Sequence, residues 1–421
     1  MVLALVLFAV TYVLMLTFQK WRPYIALASA AVFLILGILP FAKLGTYINW
    51  NVLMMIAGTM GVVGLCIQSK MPARLADLIV MKVPNVKWAT IMLSLFAGIV
   101  SAFIDNVATV LMIAPIAMEI ARKQKINPVG MIIAIAVSSN LQGAATLVGD
   151  TTSILLGGYA GMNFLDFFWF KGHPSIFWAV ELGALLSAAL LLILFRKENQ
   201  EVKVDTLTEV KDYFPTVLMA AIVVLLIIAS MIPGMPDMIN GYICVGLLII
   251  GLVYHMIKEK KWAAAMDLIK EIDYETLLLL FGLFIVIGGI TEAGVVQAIA
   301  DWFTSISNGS LFLIYTLLVW MSVLFSAFID NIPYVATMLP VTQGIAAAMG
   351  VDPTILYFGL LSGATLGGNL TPIGASANIT GIGILRKAGF EVKNSDFLKI
   401  GIPSTLAAII PAYLYFWLIY A

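Results

Sequence analysis

Two stretches of this 421-residue chain carry one motif: residues 101–116 read SAFIDNVATVLMIAPI, and residues 326–341 read SAFIDNIPYVATMLPV. Their spacing is 326 − 101 = 225, and the next match keeps it, since Thr146 and Gly149 (TLVG) correspond to Thr371 and Gly374 (TPIG). Upstream, Gly58 and Gly64 correspond to Gly282 and Gly288, with one residue of slippage. Chance similarity between apolar helices would not hold a register through Asp, Asn and Gly, so the chain reads as a duplication. Any fold must place two copies of the same polar interruption inside apolar surroundings.

Those surroundings are membrane-like. Hydrophobic residues make up 62% of the chain and charged ones 11%, which fits no soluble globular class. Apolar runs recur from Val2 to Tyr420, each long enough to cross a hydrocarbon core of roughly 30 Å. The lipid bilayer is therefore the first partner. The net charge is zero and the basic residues sit in short connectors, which gives no reason to propose nucleic acid. Cys66 and Cys244 fall inside apolar runs and offer neither a disulfide framework nor metal-ligand spacing. The first run has no basic residue before it and Lys20 and Arg22 after it, the reverse of a signal peptide, so a retained first span is expected.

Crossings are expected near 2–18, 23–41, 50–67, 127–160, 175–195, 214–232, 239–257, 275–291, 353–385 and 400–420. With the two SAFIDN stretches treated as re-entrant, only Lys43 and Lys171 lie on one side, a split of about 21 to 2 that assigns the basic side to the cytoplasm. Treating each stretch as a full crossing would split the same residues about 11 to 12. Five crossings per half is an odd number, so the second half must be inverted, with both termini outside an inner (cell) membrane. The expected fold is an all-α polytopic membrane protein of two inverted repeats, with about ten crossings, two hairpins and two broken helices. The first repeat spans residues 1–195, with hairpin 88–121 and broken helix 127–160. A cytoplasmic linker follows at 196–213, then the second repeat at 214–421, with hairpin 310–349 and broken helix 353–385.

The apolar run from Trp88 to Ala121 is too long for one crossing and is interrupted by Asp105 and Asn106. A helix–tip–helix hairpin solves this, and unpaired backbone at that depth must line a cavity or be buried in protein. Asp330 and Asn331 occupy the same place in the second copy, and Pro333 would end a continuing helix. The fourth crossing is interrupted by Gly143, Gly149, Asp150, Thr151, Thr152 and Ser153, and the ninth by Gly367, Gly368, Asn369, Thr371, Pro372, Gly374, Ser376 and Asn378. Glycine and proline unwind a helix there, while half-helix N-termini and freed carbonyls can hold ions. The candidate binding residues are Asp105, Asn106, Thr109, Thr146, Asp150 and Thr151 from the first half. The second half supplies Asp330, Asn331, Asn369, Thr371, Ser376 and Asn378. Asp105 and Asp330 are candidate Na⁺ ligands. Both are also good N-caps, but a carboxylate in the membrane costs about 2.5–3.5 kcal/mol on insertion scales, so a repeated pair points beyond capping. Asp150 has no acidic counterpart, since Ala375 takes its place, and Glu181 is a lone acid in the fifth crossing.

The two tips and two Gly-Thr-rich breaks resemble the ion transporter superfamily, which includes arsenite permeases, sodium/proton antiporters, the pink-eyed-dilution protein, and citrate and dicarboxylate carriers. DNVAT at 105–109 looks like the DNVTT tip of the antiporter and pink-eyed-dilution branch, and ATLVGD at 145–150 like its broken-helix motif. Carboxylate carriers typically have Ser-Asn-Thr at the tip. Thr151, Thr152 and Ser153 stand where Pro-Pro-Asn is common in the nearest branch. The resemblance implies an elevator mechanism, and its carboxylate members suggest a homodimer.

No Lys or Arg falls inside an expected span, so a dianion would meet like charge at the aspartates. The leading expectation is therefore a proton- or sodium-coupled antiporter of Na⁺ or a neutral metalloid such as arsenite, with no cofactor beyond the coupling ion H⁺ or Na⁺. The alternative is a sodium-coupled importer of a carboxylate or oxyanion. An enzyme is not expected, because no nucleophile–base pair appears in the spans.

Overall fold

A computed structural model describes residues 1–421 except 203–206, 261–265, 267 and 271. Lys203 and Lys261, both counted on the basic side, thus lie outside the described residues. The chain is almost wholly helical; a two-residue β pair joins Trp169–Phe170 to His173–Pro174. Among the described residues seven helices are long and apolar enough to cross a membrane, or up to nine if each of two sharply bent pairs is one span.

Helices occupy all ten positions expected for crossings. Eight are single: Val2–Thr17, Arg22–Ile35, Trp50–Ser69, Ile176–Leu194, Phe214–Met231, Ile239–Glu259, Tyr274–Glu292 and Asn394–Tyr420. The fourth and ninth are broken, as Val129–Gly143 with Thr151–Ala160 and as Thr354–Gly367 with Ser376–Lys387. Directly before each broken crossing stands a hairpin, Val86–Ser101 with Asn106–Gln124 and Leu311–Ser326 with Asn331–Met349. Two boundaries differ from expectation. The second helix stops at Ile35 rather than 41, where Gly37 takes φ +67° and turns the chain. The last begins at Asn394, because Asp396 takes part in a capping box that starts it early. Two further helices, Met71–Val80 and Val295–Ile306, lie where connectors were expected, each directly before a hairpin. Each buries one face, through Ala76, Asp77 and Val80 or through Val295, Val296 and Ala300.

Glycine contacts reveal the inversion. A Cβ on Gly58 would meet Cys244, one on Gly61 would meet Leu248, and one on Gly251 would meet Leu65, so Trp50–Ser69 and Ile239–Glu259 run side by side in parallel. The same holds for Arg22–Ile35 and Tyr274–Glu292, through Ala26 at Gly282 and Phe33 at Gly289. Arg22–Ile35 and Trp50–Ser69 are consecutive crossings and so run in opposite directions. Their counterparts in the second repeat are Ile239–Glu259 and Tyr274–Glu292. Parallel pairing across the repeats is then possible only if one repeat is upside down relative to the other.

The connectors sort into two faces. On one, Lys43 Nζ and Tyr47 Oη donate to Glu292 at 2.7 and 2.6 Å, Asn49 Nδ2 donates to the Gly158 carbonyl at 3.2 Å, and Lys171 Nζ reaches Asp352 at 2.5 Å. On the other, the Val86 and Lys87 amides donate to the carbonyls of Gln200 and Glu198, Lys211 N donates to the Ser69 carbonyl, and Lys258 pairs with Asp212 at 2.7 Å. Lys43 and Lys171 therefore share the sparsely charged face.

Candidate functional site

Each hairpin turns over four residues, 102–105 in the first and 327–330 in the second, and the aspartate ending each turn starts the second arm. Asp105 Oδ1 accepts the amides of Val107 at 2.9 Å and Ala108 at 3.2 Å. Asp330 Oδ1 accepts the Ile332 amide at 3.2 Å. Capping is therefore real, and it uses one oxygen of each carboxylate. Asp105 Oδ2 has no hydrogen-bond partner among the described residues.

Every tip is fastened to its own broken helix by the same device. Thr146 Oγ1 donates to the Ala102 carbonyl, and Thr371 Oγ1 to the Ala327 carbonyl. A Cβ on Gly149 would lie 2.5–2.7 Å from the carbonyl oxygens of Gly143, Ala102 and Ser101. One on Gly374 would lie 2.6–2.9 Å from those of Gly368, Ser326 and Ala327. Glycine is required at both positions because only a residue without Cβ lets tip and break backbones touch.

The two halves join through a buried amide network. Asn106 Nδ2 donates to Asn140 Oδ1 at 3.0 Å; Asn140 Nδ2 donates in turn to the Thr365 carbonyl at 2.9 Å and Asn369 Oδ1 at 3.1 Å. Asn369 Nδ2 returns to the Val137 carbonyl at 2.9 Å. Thr152 and Thr365 hydroxyls meet at 3.1 Å, and Asp150 Oδ2 accepts from Thr152 Oγ1 at 3.1 Å and Asn331 Nδ2 at 3.4 Å. Asn106, Asn140, Asp150, Thr152, Asn331 and Asn369 are all buried, so these bonds satisfy groups that would otherwise be costly at this depth.

Beside the network lies a cavity of about 430 Å³. Asp105, Asn106, Asp150, Thr151, Asn331 and Ser376 line it, so six of the twelve expected site residues share one wall. The other six stand behind. Thr146 and Thr371 fasten tips to breaks, and Asn369 belongs to the amide network. Asn378 braces the second break through the carbonyls of Gly368 and Thr371, at 3.1 and 3.3 Å. Thr109 is fully buried beneath the first tip. Asp330 sits behind Ser376, whose Oγ donates to Asp330 Oδ2 at 3.1 Å.

Sequence reasoning missed three contributors. Met60, Val63, Gly64 and Ile67 form the opposite, largely apolar wall on Trp50–Ser69. Asp273 and Thr276 line the mouth, where Asp273 caps Tyr274–Glu292 through the Thr276 amide and hydroxyl at 3.1 and 2.6 Å. The D-x-x-T pattern at 273–276 was the available signal. The third is Arg22. Lying just before an expected span, it counted only as a connector charge, yet its Nη1 lies 3.4 Å from Asp330 Oδ2. The second tip is therefore not free of basic side chains.

Two hairpin tips meeting two broken helices at a cavity with one acidic and polar wall, in a chain built from apolar crossings, define a membrane transporter. The chain belongs to the citrate transporter family CitMHS, whose family model matches residues 12–363. An uncharacterised transporter of Mycobacterium bovis is 31% identical over 445 residues, covering 100% of this chain and 98% of that protein. The P protein of Homo sapiens is 25% identical over 75% of this chain and 47% of its own length. Among solved structures, the YdaH transporter of Alcanivorax borkumensis superposes with TM-score 0.63 at 14% identity, covering 96% of this chain and 97% of that one. Neisseria gonorrhoeae MtrF, described among antimetabolite efflux pumps, gives 0.56 at 15% identity over 89% and 83%. The protein is accordingly a membrane secondary transporter of this family.

Proposed function

We propose that this transporter couples H⁺ or Na⁺ movement to antiport of an inorganic cation or a neutral metalloid hydroxide, with the acid-lined cavity as the ion site. The observation that carries the reading is the cavity's charge: Asp105, Asp150 and Asp273 line it, and no Lys or Arg does among the described residues. Three carboxylates sharing one cavity repel one another unless a cation or protons sit among them. The lining reaches Gln68 and Asp273, at the ends of two helices on the basic face. With that face in the cytoplasm, as the positive-inside rule assigns it, the cavity opens inward and both termini lie outside.

An elevator movement fits the packing. The hairpins and broken helices pack mainly on one another and on Ile176–Leu194 and Asn394–Tyr420. Trp50–Ser69 with Ile239–Glu259, and Arg22–Ile35 with Tyr274–Glu292, form a separate frame of close glycine contacts. Sliding the first group against the second would carry the cavity across the bilayer.

A second reading follows from the family's description as citrate transporters. A carboxylate could enter this cavity only with cations bound to screen the aspartates, which makes it a sodium-coupled importer. Purified protein in liposomes with an acid-inside gradient separates the two readings. Na⁺, Li⁺, arsenite, antimonite, citrate and succinate are added in turn while internal pH is followed by dye. Proton efflux triggered by a cation or metalloid supports antiport. A response to carboxylates alone, requiring Na⁺, replaces it with the second reading.

A further inference from the structure

The two tips have the same sequence, Ser-Ala-Phe-Ile-Asp-Asn, and different surroundings. Asp105 caps its helix with one oxygen and lines the cavity, where no basic side chain meets it among the described residues. Asp330 turns its second oxygen to Arg22 Nη1 at 3.4 Å and Ser376 Oγ at 3.1 Å. The guanidinium is not loose: Arg22 Nε donates to the Met15 carbonyl at 3.3 Å, and the Arg22 and Asp330 side chains are only 17% and 14% exposed. Tyr12, one helix earlier, holds the second arm of the same hairpin by donating to the Pro333 carbonyl at 2.8 Å and by contact with the Thr337 hydroxyl. The first two helices therefore touch the second hairpin at three points, one at its tip and two on its second arm.

Among the described residues no basic side chain of the corresponding helices holds the first tip. The Ala26–Gly282 and Cys244–Gly58 contacts give the correspondence between repeats as 244 − 26 = 218, which places Asn240 opposite Arg22 (22 + 218 = 240). Asn240 carries no charge, and it lines a separate cavity with Gly157 and Tyr159, away from Asp105.

We infer that Arg22 is a resident counter-charge for the second hairpin tip: its guanidinium occupies the place a cation would take at Asp330, so that the coupling ion binds at the Asp105–Asp150 cavity alone. The inference rests on the proposed ion site and adds the asymmetry between its two acids. A single-armed contact at 3.4 Å holds by charge rather than by bidentate geometry, so the pair neutralises Asp330 without locking the tip. Membrane carboxylates are tolerated where they find such partners.

The test uses the full chain in liposomes and dicyclohexylcarbodiimide, which modifies carboxyl groups that are protonated and unpaired. Labelling is mapped to Asp330 and Asp105 by peptide mass spectrometry. In the wild-type protein Asp330 should be labelled weakly. Arg22→Gln should raise its labelling by roughly tenfold, the expected scale for losing one opposite charge, while Asp105 stays unchanged. Arg22→Lys should keep Asp330 protected. Equal labelling of both aspartates in the wild type, or no rise in Arg22→Gln, overturns the inference. If Arg22→Gln does not fold, the wild-type and Arg22→Lys comparison of Asp330 with Asp105 still decides. Whether Na⁺ or Li⁺ protects Asp105 tests the underlying ion site separately, and that result can fail without altering the Asp330 pattern.

Discussion

Asp150 is the acid without a twin, and its partners explain how it can be tested cleanly. Both of its side-chain donors, Thr152 Oγ1 and Asn331 Nδ2, fall on Oδ2, which an amide oxygen can replace. Asp150→Asn should therefore fold and lose only the charge. Its coupled flux is expected to fall by about tenfold or more, equivalent to at least 1.4 kcal/mol of lost stabilisation. A variant with wild-type flux would place the ion elsewhere. Thr146 and Thr371 make the opposite kind of contribution. Thr146→Val leaves the Ala102 carbonyl without its buried donor and should cost about 1–3 kcal/mol, seen as a lower unfolding temperature with transport retained.

At the scale of elements, the junction of tip and break is the feature that tolerates least change. Three backbone oxygens surround the place of a Cβ on Gly149, and none can swing away as a side-chain end could. Gly149→Ala should destabilise the protein by about 1–3 kcal/mol or separate the first tip from its break, measurable as reduced folded yield and flux. These junctions were legible in the sequence because Asp-Asn and Gly-Thr clusters are conspicuous inside apolar runs and recur at one spacing. Helix ends were less legible. Ile35 and Asn394 are boundaries set by a turn glycine and a capping box, which hydropathy does not register. Met71–Val80 and Val295–Ile306 escaped notice because each is too short to span and only one face is apolar. Arg22 at Asp330 could not be read at all: the residues are 308 apart, and no local pattern links them.

Over the whole molecule, two parallel helix pairs related by inversion form the frame, and glycine makes their approach possible. A Cβ on Gly58 would come within 2.4 Å of the Cys244 backbone, and one on Gly282 within 2.7 Å of Ala26. Small residues at such crossings allow the backbone contact that packs helices in lipid. Gly58→Leu should lower folded yield sharply, whereas the same change at Gly246, which faces open space, should leave it near wild type. The duplication, the hairpins and the inversion were all derivable from one repeat and the distribution of basic residues. What needed the structure was the difference between the halves: one acid faces the cavity and the other faces Arg22. The central claim is that Asp105 holds the coupling ion, and the most direct test is ion-driven flux in liposomes containing Asp105→Asn. The amide oxygen can still accept the Val107 and Ala108 amides, so the hairpin should form while coupled flux is lost. Flux at the wild-type rate would show that Asp105 is only a helix cap and would contradict the account.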